Sequence, residues 1–197
     1  MTVSKTRSKL VDVARQLFAK MGVENTTMND IAVASKKGRR TLYTYFSSKE
    51  DIYMAVVESE LEILYQKMKE VTEKDIAPDD KIIELIYTHL DAIKEVVFRN
   101  GTLKANFFRD IWSVEKVRKK FDLKNVALLR NVLTEGKKTG VFQVDDVDML
   151  ATLIHYCVKG IEVPYIRGQI GENDTATSRK AMVRSLVFGA LKRKENQ

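Results

Sequence analysis

Long stretches without a helix breaker constrain this chain most. Two prolines, Pro78 and Pro164, and nine glycines are spread over 197 residues. Apolar residues recur at intervals of three and four, not in strict alternation, which predicts an all-α fold. Leu10, Val13, Ala14, Leu17, Phe18 and Met21 mark a first helix from about residue 4, closed by Gly22. A short second helix follows Thr27, whose side chain can cap free N–H groups, with Asp30 at its third position. A third covers about 39–45. Ser47-Ser48-Lys49-Glu50 has the S-x-x-E pattern of a capping box and opens a long fourth helix to about Lys74. Pro78 suits the first turn of a fifth. Further helices are expected at about 102–112, 113–138, 145–169 and 175–193, making about nine, with Gly160 and Pro164 bending or breaking the eighth.

Charge is distributed unevenly. The net charge is +7, and residues 1–52 carry ten Lys or Arg against five acids, Asp12, Glu24, Asp30, Glu50 and Asp51. A basic head on a nearly neutral remainder suits a polyanion partner, although ordinary surface charge would look the same by composition. No apolar run reaches the roughly 20 residues that span a bilayer, and the first ten residues lack a signal-peptide apolar region. Cys157, the one cysteine, cannot form an internal disulfide. A reducing, cytoplasmic setting with no membrane partner is therefore expected.

Three short helices with a tight turn between the second and third, followed by a long helix, match a helix-turn-helix module. Arg39 and Arg40 open the third helix, where a recognition helix meets base edges, and arginine can donate a bidentate pair to guanine. Leu42 and Phe46 lie four apart and are expected to face inward, leaving Arg39, Arg40, Tyr43 and Thr44 outward. The same residues would also suit a solvated charged face whose aromatics pack in the core.

The stretch "TTMNDIAVASKKGRRTLYTYFSSKEDIY", with "LVDVARQLFAKMG" upstream, resembles the DNA-binding domain of the tetracycline-repressor (TetR) family. Ile31-Ala32, Thr41 to Phe46 and Lys49-Glu50 carry the likeness, over roughly the first 55 residues. The resemblance implies a helix-turn-helix domain at 1–50, a helical ligand-binding and dimerisation domain at 51–197, and double-stranded DNA as partner. It assigns Thr27 a phosphate contact and Asn29 an occasional base contact. Arg39, Arg40, Tyr43 and Thr44 take groove-facing positions, and Thr41 a base or phosphate contact. Tyr45 and Lys49 take backbone-phosphate contacts.

The turn departs from the family pattern, Ala-Gly-Val-Ser, and reads Ser35-Lys36-Lys37-Gly38. A left-handed Lys36 would cost roughly 1 kcal/mol relative to glycine. Lys37 would lie along apolar surface with its ammonium out. Gly38 would then cap the third helix and admit a close DNA backbone; alternatively, Gly38 itself makes the bend. The first arrangement exchanges turn stability for two cationic contacts.

Beyond residue 50, Tyr87, His89, Phe107, Phe108, Trp112 and Tyr156 are candidates to line a pocket for an unknown small-molecule effector, or simply to form core. The resemblance, not these residues, implies the pocket. In the last helix Ala181, Ser185 and Gly189 are small and four apart, flanked by Met182, Leu186 and Ala190. This stripe suits close helix approach, either within the chain or in the homodimer that the resemblance implies. Such a two-fold dimer would read a palindromic operator.

Two histidines and one cysteine form no metal spacing, and no glycine-rich phosphate loop or serine elbow is present. The expectation is a repressor, not an enzyme, without cofactor or metal. A ligand-independent architectural DNA-binding protein and a small helical enzyme with a basic head are the alternatives.

Overall fold

The computed structural model describes residues 5–99, 111–170 and 181. These form seven helices: α1 (Lys5–Met21), α2 (Met28–Ala34), α3 (Arg39–Tyr45), α4 (Lys49–Thr72), α5 (Pro78–Arg99), α6 (Ile111–Lys138) and α7 (Val147–Ile166). No strand occurs among the described residues, so the all-α expectation holds. The helices expected at 102–112 and 175–193 fall almost wholly outside the described residues. Ile111 and Trp112 are helical, and α6 runs through 112–113 without the expected break.

The chain divides into two compact units, one of residues 1–63 and 95–120, the other of 64–94 and 121–197. In the first, Leu10, Ala14 and Phe18 of α1, Ile31 of α2, Leu42 of α3, and Ile52 and Val56 of α4 are all buried. Burying one such side chain contributes roughly 1.5–3 kcal/mol. Phe18 meets Tyr53 edge-on with ring centres 6.1 Å apart, and the Arg7 guanidinium lies 5.2 Å from the buried Phe46 ring. Arg15 Nε reaches Glu60 Oε1 at 3.3 Å, tying α1 to α4. In the second unit, Leu64, Met68, Ile82, Leu85, Leu90, Leu129, Val132, Leu133 and Ala151 form the core.

Helix ends follow local chemistry, with two corrections. The α4 cap lies one residue later than Ser47/Glu50: Ser48 Oγ accepts the Asp51 N–H at 3.1 Å, and Asp51 accepts the Ser47 N–H at 3.0 Å. Asp51 is the third residue counted from Ser48, so the S-x-x-acid pair shifts by one and Glu50 is not used. Helix α7 passes through Gly160 and Pro164 without breaking and ends at Ile166. Pro164 sits in the last turn, where the helix stops within three residues. There Gly168, with φ of 70°, lets its own N–H reach Tyr165 O and the Gln169 N–H reach Pro164 O.

The α6–α7 connection shows why two of its glycines are needed. Gly140, φ 74°, ends α6 in the same way, with the Val141 N–H on Gly136 O at 2.8 Å. At Gly136 a Cβ would come within 2.1 Å of the Phe142 ring, so only glycine lets that buried ring lie against α6. Asp146 then caps α7 by accepting the Met149 N–H at 2.9 Å.

Candidate nucleic-acid interface and regulatory cavity

The turn between α2 and α3 is a six-residue Schellman closure built on a lysine. Ser35 ends α2, Lys36 adopts φ 55°, and its N–H donates to Val33 O while the Lys37 N–H donates to Ala32 O, both at 3.0 Å. Lys36 is the non-glycine residue with positive φ among the described residues. Buried Ser35 secures the closure by donating its hydroxyl to Ala32 O at 3.0 Å. Gly38 has φ −64° and ψ 148° and is the N-cap of α3, its carbonyl accepting the Leu42 N–H at 3.1 Å. Lys36 therefore makes the bend and Gly38 the cap. Nothing lies within 4 Å of a Cβ added at Gly38.

On α3, Leu42 and Phe46 are buried, while Arg39, Arg40, Tyr43, Thr44 and Tyr45 are exposed. Lys36 and Gly38 are exposed as well, and Lys37 and Thr41 are half-buried. Residues 36–45 thus present a cationic, aromatic and hydroxyl-bearing surface at the N-terminal end of a helix, with free N–H groups nearby.

At the α2 start, Thr27 Oγ1 accepts the Asp30 N–H at 3.1 Å and Asp30 accepts the Thr27 N–H at 2.9 Å, a full capping box. The side-chain hydrogen bond from Thr27, with its backbone N–H, lowers the Asp30 carboxyl from its ordinary value. Exposed Asn29 lies between them in sequence. Half-buried Lys49 donates its ammonium to Val23 O at 2.9 Å and Glu24 O at 3.2 Å. Two of its three donors are thereby engaged within the chain.

Within the second unit, a small cavity of about 10 Å³ is lined by Met68, Leu85, Ile86, His89, Leu129, His155 and Val158. That is room for about one water. His89 lines it, Tyr87 is half-buried, and Tyr156 is 59% exposed on the outer side of α7. Phe107 and Phe108 lie outside the described residues, as does the Trp112 side chain. Ala181 is helical and exposed; Met182, Ser185, Leu186, Gly189 and Ala190 lie outside.

Buried polar pairs surround the cavity. His89 Nε2 and Glu162 Oε1 are 2.8 Å apart, both nearly inaccessible. His155 Nε2 stands 3.2 Å from Asp122 Oδ1, and Lys159 donates to Asp122 Oδ2 at 2.6 Å. Burial pushes the Asp122 carboxyl up, but the neighbouring His155 and Lys159 outweigh it and hold the group below its ordinary value. Sequence inspection did not single out these carboxylates. His155, Lys159 and Glu162 share one face of α7 at i, i+4 and i+7, but their partners Asp122 and His89 lie on other helices, which spacing along α7 does not reveal.

Among the described residues, no helix is long and apolar enough to cross a membrane and no group of three His, Cys, Asp or Glu is placed to hold a metal. The family profile for bacterial regulatory proteins of the tetR family matches residues 10–56. The transcriptional regulator QacR of Staphylococcus aureus is 22% identical over 158 residues, covering 79% of this chain and 83% of that protein. The transcriptional repressor KstR2 of Mycobacterium tuberculosis is 26% identical over 157 residues, 77% of each chain. Among solved structures, the fatty acid degradation regulator FadR of Bacillus halodurans superposes with a TM-score of 0.72 at 17% identity, covering 98% of this chain and all of that one. Salmonella enterica GusR gives 0.70 at 22% identity, covering 98% of each. The match over residues 10–56 identifies these helices as a DNA-binding domain of the tetR family, the solved structures share the fold, and the relatives support a DNA-binding transcriptional regulator.

Proposed function

We propose that the protein is a homodimeric, cytoplasmic repressor that leaves a palindromic operator when a small-molecule effector enters its regulatory core. The observation that carries this reading is the exposed set Lys36, Gly38, Arg39, Arg40, Tyr43, Thr44 and Tyr45, mounted over buried Leu42 and Phe46. Arg39 and Arg40 supply bidentate guanine readout, and Tyr43 and Thr44 add contacts along the groove. Lys36, Lys37, Thr27, Asn29, Thr41, Tyr45 and the third donor of Lys49 position the helix against bases and phosphates.

Dimerisation is supported by α7. Met149, Leu153 and Tyr156 are exposed large hydrophobics at intervals of four and three, with Gly160 four residues on. A second copy contributing this face, with the Ala181-to-Ala190 stripe expected from the sequence, would bury it. The effector acts by favouring a conformation whose two heads no longer match the half-site spacing, with movement carried along α4. Ligand and operator affinities are then coupled reciprocally.

Selection of bound sequences from random duplex DNA tests the reading. A palindrome with half-sites about one helical turn apart, or a multiple of it, is expected. On that site, Arg39→Ala and Arg40→Ala lose more affinity than on random DNA. Selection of an unsymmetrical site, or equal losses on all sequences, would overturn the assignment. An operator complex unmoved by any small molecule would favour a ligand-independent architectural role.

A further inference from the structure

Thr44 points directly away from the core of the head. Leu42 and Phe46 are the side chains that α3 and its C-cap bury. At 3.6 residues per turn, the direction midway between them lies about 180° from Thr44, with Arg40 about 40° to one side and Thr41 about 60° to the other. Thr44 is exposed, but its hydroxyl is engaged: Oγ1 donates its proton to Arg40 O at 2.9 Å. Such a bond turns the oxygen back along the helix, against the preceding turn. The methyl group is the branch of the side chain that this bond does not engage, and it stands on the outermost line of α3.

Resting on the operator-binding reading above, we infer that Thr44 is a specificity-determining residue that reads the C5-methyl group of a thymine through its own methyl group. The choice follows from what each partner presents. Phosphate oxygens, guanine N7 and O6, and thymine O4 only accept, so Thr44 could serve them only by giving up its bond to Arg40. An adenine or cytosine amino group could donate to the Thr44 oxygen, but that oxygen is turned into the helix surface. The thymine methyl group asks for apolar contact alone, which Thr44 supplies while its bond to Arg40 stays intact. The side chain is also short, so α3 can lie close to the groove floor at this point, with the longer Arg40 reaching a guanine alongside. Four residues of helix rise about 6 Å and bases stack about 3.4 Å apart, which places the thymine within about two base pairs of the guanine read by Arg40.

The test is a protein–DNA cycle with the full chain on the operator recovered by selection from random duplexes. Each thymine is replaced in turn, in both half-sites, by deoxyuridine, which removes only the C5-methyl group. Binding is measured with the wild type, Thr44→Val and Thr44→Ser, surface changes that should leave folding unaltered. For the wild type, deoxyuridine at one position, within about two base pairs of an Arg40-sensitive guanine, should weaken binding about fourfold for each half-site, as expected for roughly one buried methyl group. Thr44→Val keeps a methyl group and loses the hydroxyl, and should bind the thymine operator within about twofold of the wild type. Thr44→Ser keeps the hydroxyl and loses the methyl group. It should bind that operator as weakly as the wild type binds the uracil one, and should not distinguish the two.

Indifference of the wild type to deoxyuridine at every thymine would overturn the inference, and that arm needs no variant protein. So would loss of affinity in Thr44→Val with none in Thr44→Ser, which makes the hydroxyl the reader. Equal losses in both variants on operator and random DNA would overturn it too, by making Thr44 a backbone contact. If selection yields no preferred site, the operator-binding reading fails and this inference with it. A site that needs Arg39 and Arg40 but ignores the thymine methyl groups overturns the inference for Thr44 alone.

Discussion

The Lys49 ammonium donates to the Val23 carbonyl at 2.9 Å, joining the first residue of α4 to the segment that follows α1, 26 residues away in sequence. A second bond, to Glu24 O at 3.2 Å, makes this a clamp across the head. A phosphate can be met only by the remaining donor.

Lys49→Ala should therefore have two separable effects. Loss of the clamp at a half-buried site costs about 1 kcal/mol, lowering Tm by roughly 2–4 °C in a chain of this size. Weaker binding to specific and random DNA alike, with a flatter salt dependence, reports the phosphate contact. Calorimetry without DNA and a salt titration with DNA separate them. An unchanged Tm would remove the clamp from the account.

Lys36→Gly should move stability and affinity in opposite directions. Glycine relieves the left-handed strain at φ 55°, a gain of roughly 1 kcal/mol offset in part by the greater freedom of the unfolded chain. Tm should rise by a few degrees, and the log–log salt slope of DNA binding should fall by about one. If neither changes, the exchange of turn stability for a cationic contact is wrong.

Gly38 is the complementary case. Its φ and ψ are open to any residue, and no neighbour lies within 4 Å of an added Cβ. The isolated fold therefore has little need of glycine there, whereas a DNA backbone passing over the N-terminus of α3 would meet the new methyl group. Gly38→Ala should leave Tm within about 2 °C, a surface-sized effect, while lowering operator affinity severalfold. Operator binding unchanged in this variant would mean that the DNA backbone does not approach at Gly38.

Much of the head was legible because its determinants are local. Thr27 with Asp30, Gly22 after α1, and Leu42 with Phe46 each lie within a few residues of what they control. The α4 cap slipped by one because two serines precede two acids, so the same three-residue spacing fits Ser47 with Glu50 and Ser48 with Asp51. The regulatory core was less legible. His89 and Glu162 are 73 residues apart and Asp122 and Lys159 are 37 apart, so no periodicity announces either pair. Tyr156 looked like a pocket aromatic, yet it is the adjacent His155 that turns inward, a 100° difference in helical phase that composition does not reveal. Gly136 reads as an ordinary helix-weakening residue until Phe142 is seen against it.

Gly136→Ala should be strongly destabilising for that reason. Alanine is the better helix former by about 1 kcal/mol, but its methyl group would lie 2.1 Å from the Phe142 ring. Ring displacement should outweigh propensity, with a net cost of about 1–3 kcal/mol and a Tm lower by several degrees. Phe142→Leu, destabilising on its own, should abolish much of the penalty when combined with Gly136→Ala. Strict additivity in that double-mutant cycle would show that the ring is not the obstacle.

The Asp122 carboxyl sets an acid limit on the regulatory core. Burial alone would raise its pKa, but His155 and Lys159 hold it below the ordinary value of 3.8. A group whose folded pKa is depressed contributes stability that is present above the unfolded pKa and is lost as pH falls through the folded one. The contribution of Asp122 should accordingly be intact above about pH 4 and disappear below it. Asp122→Asn cannot ionise, so it should lose stability at neutral pH and show a shallower decline than the wild type through the acid range. Denaturant titrations of both proteins from neutral pH into that range measure the difference. Parallel curves would mean that the carboxylate is no better stabilised in the fold than in the unfolded chain.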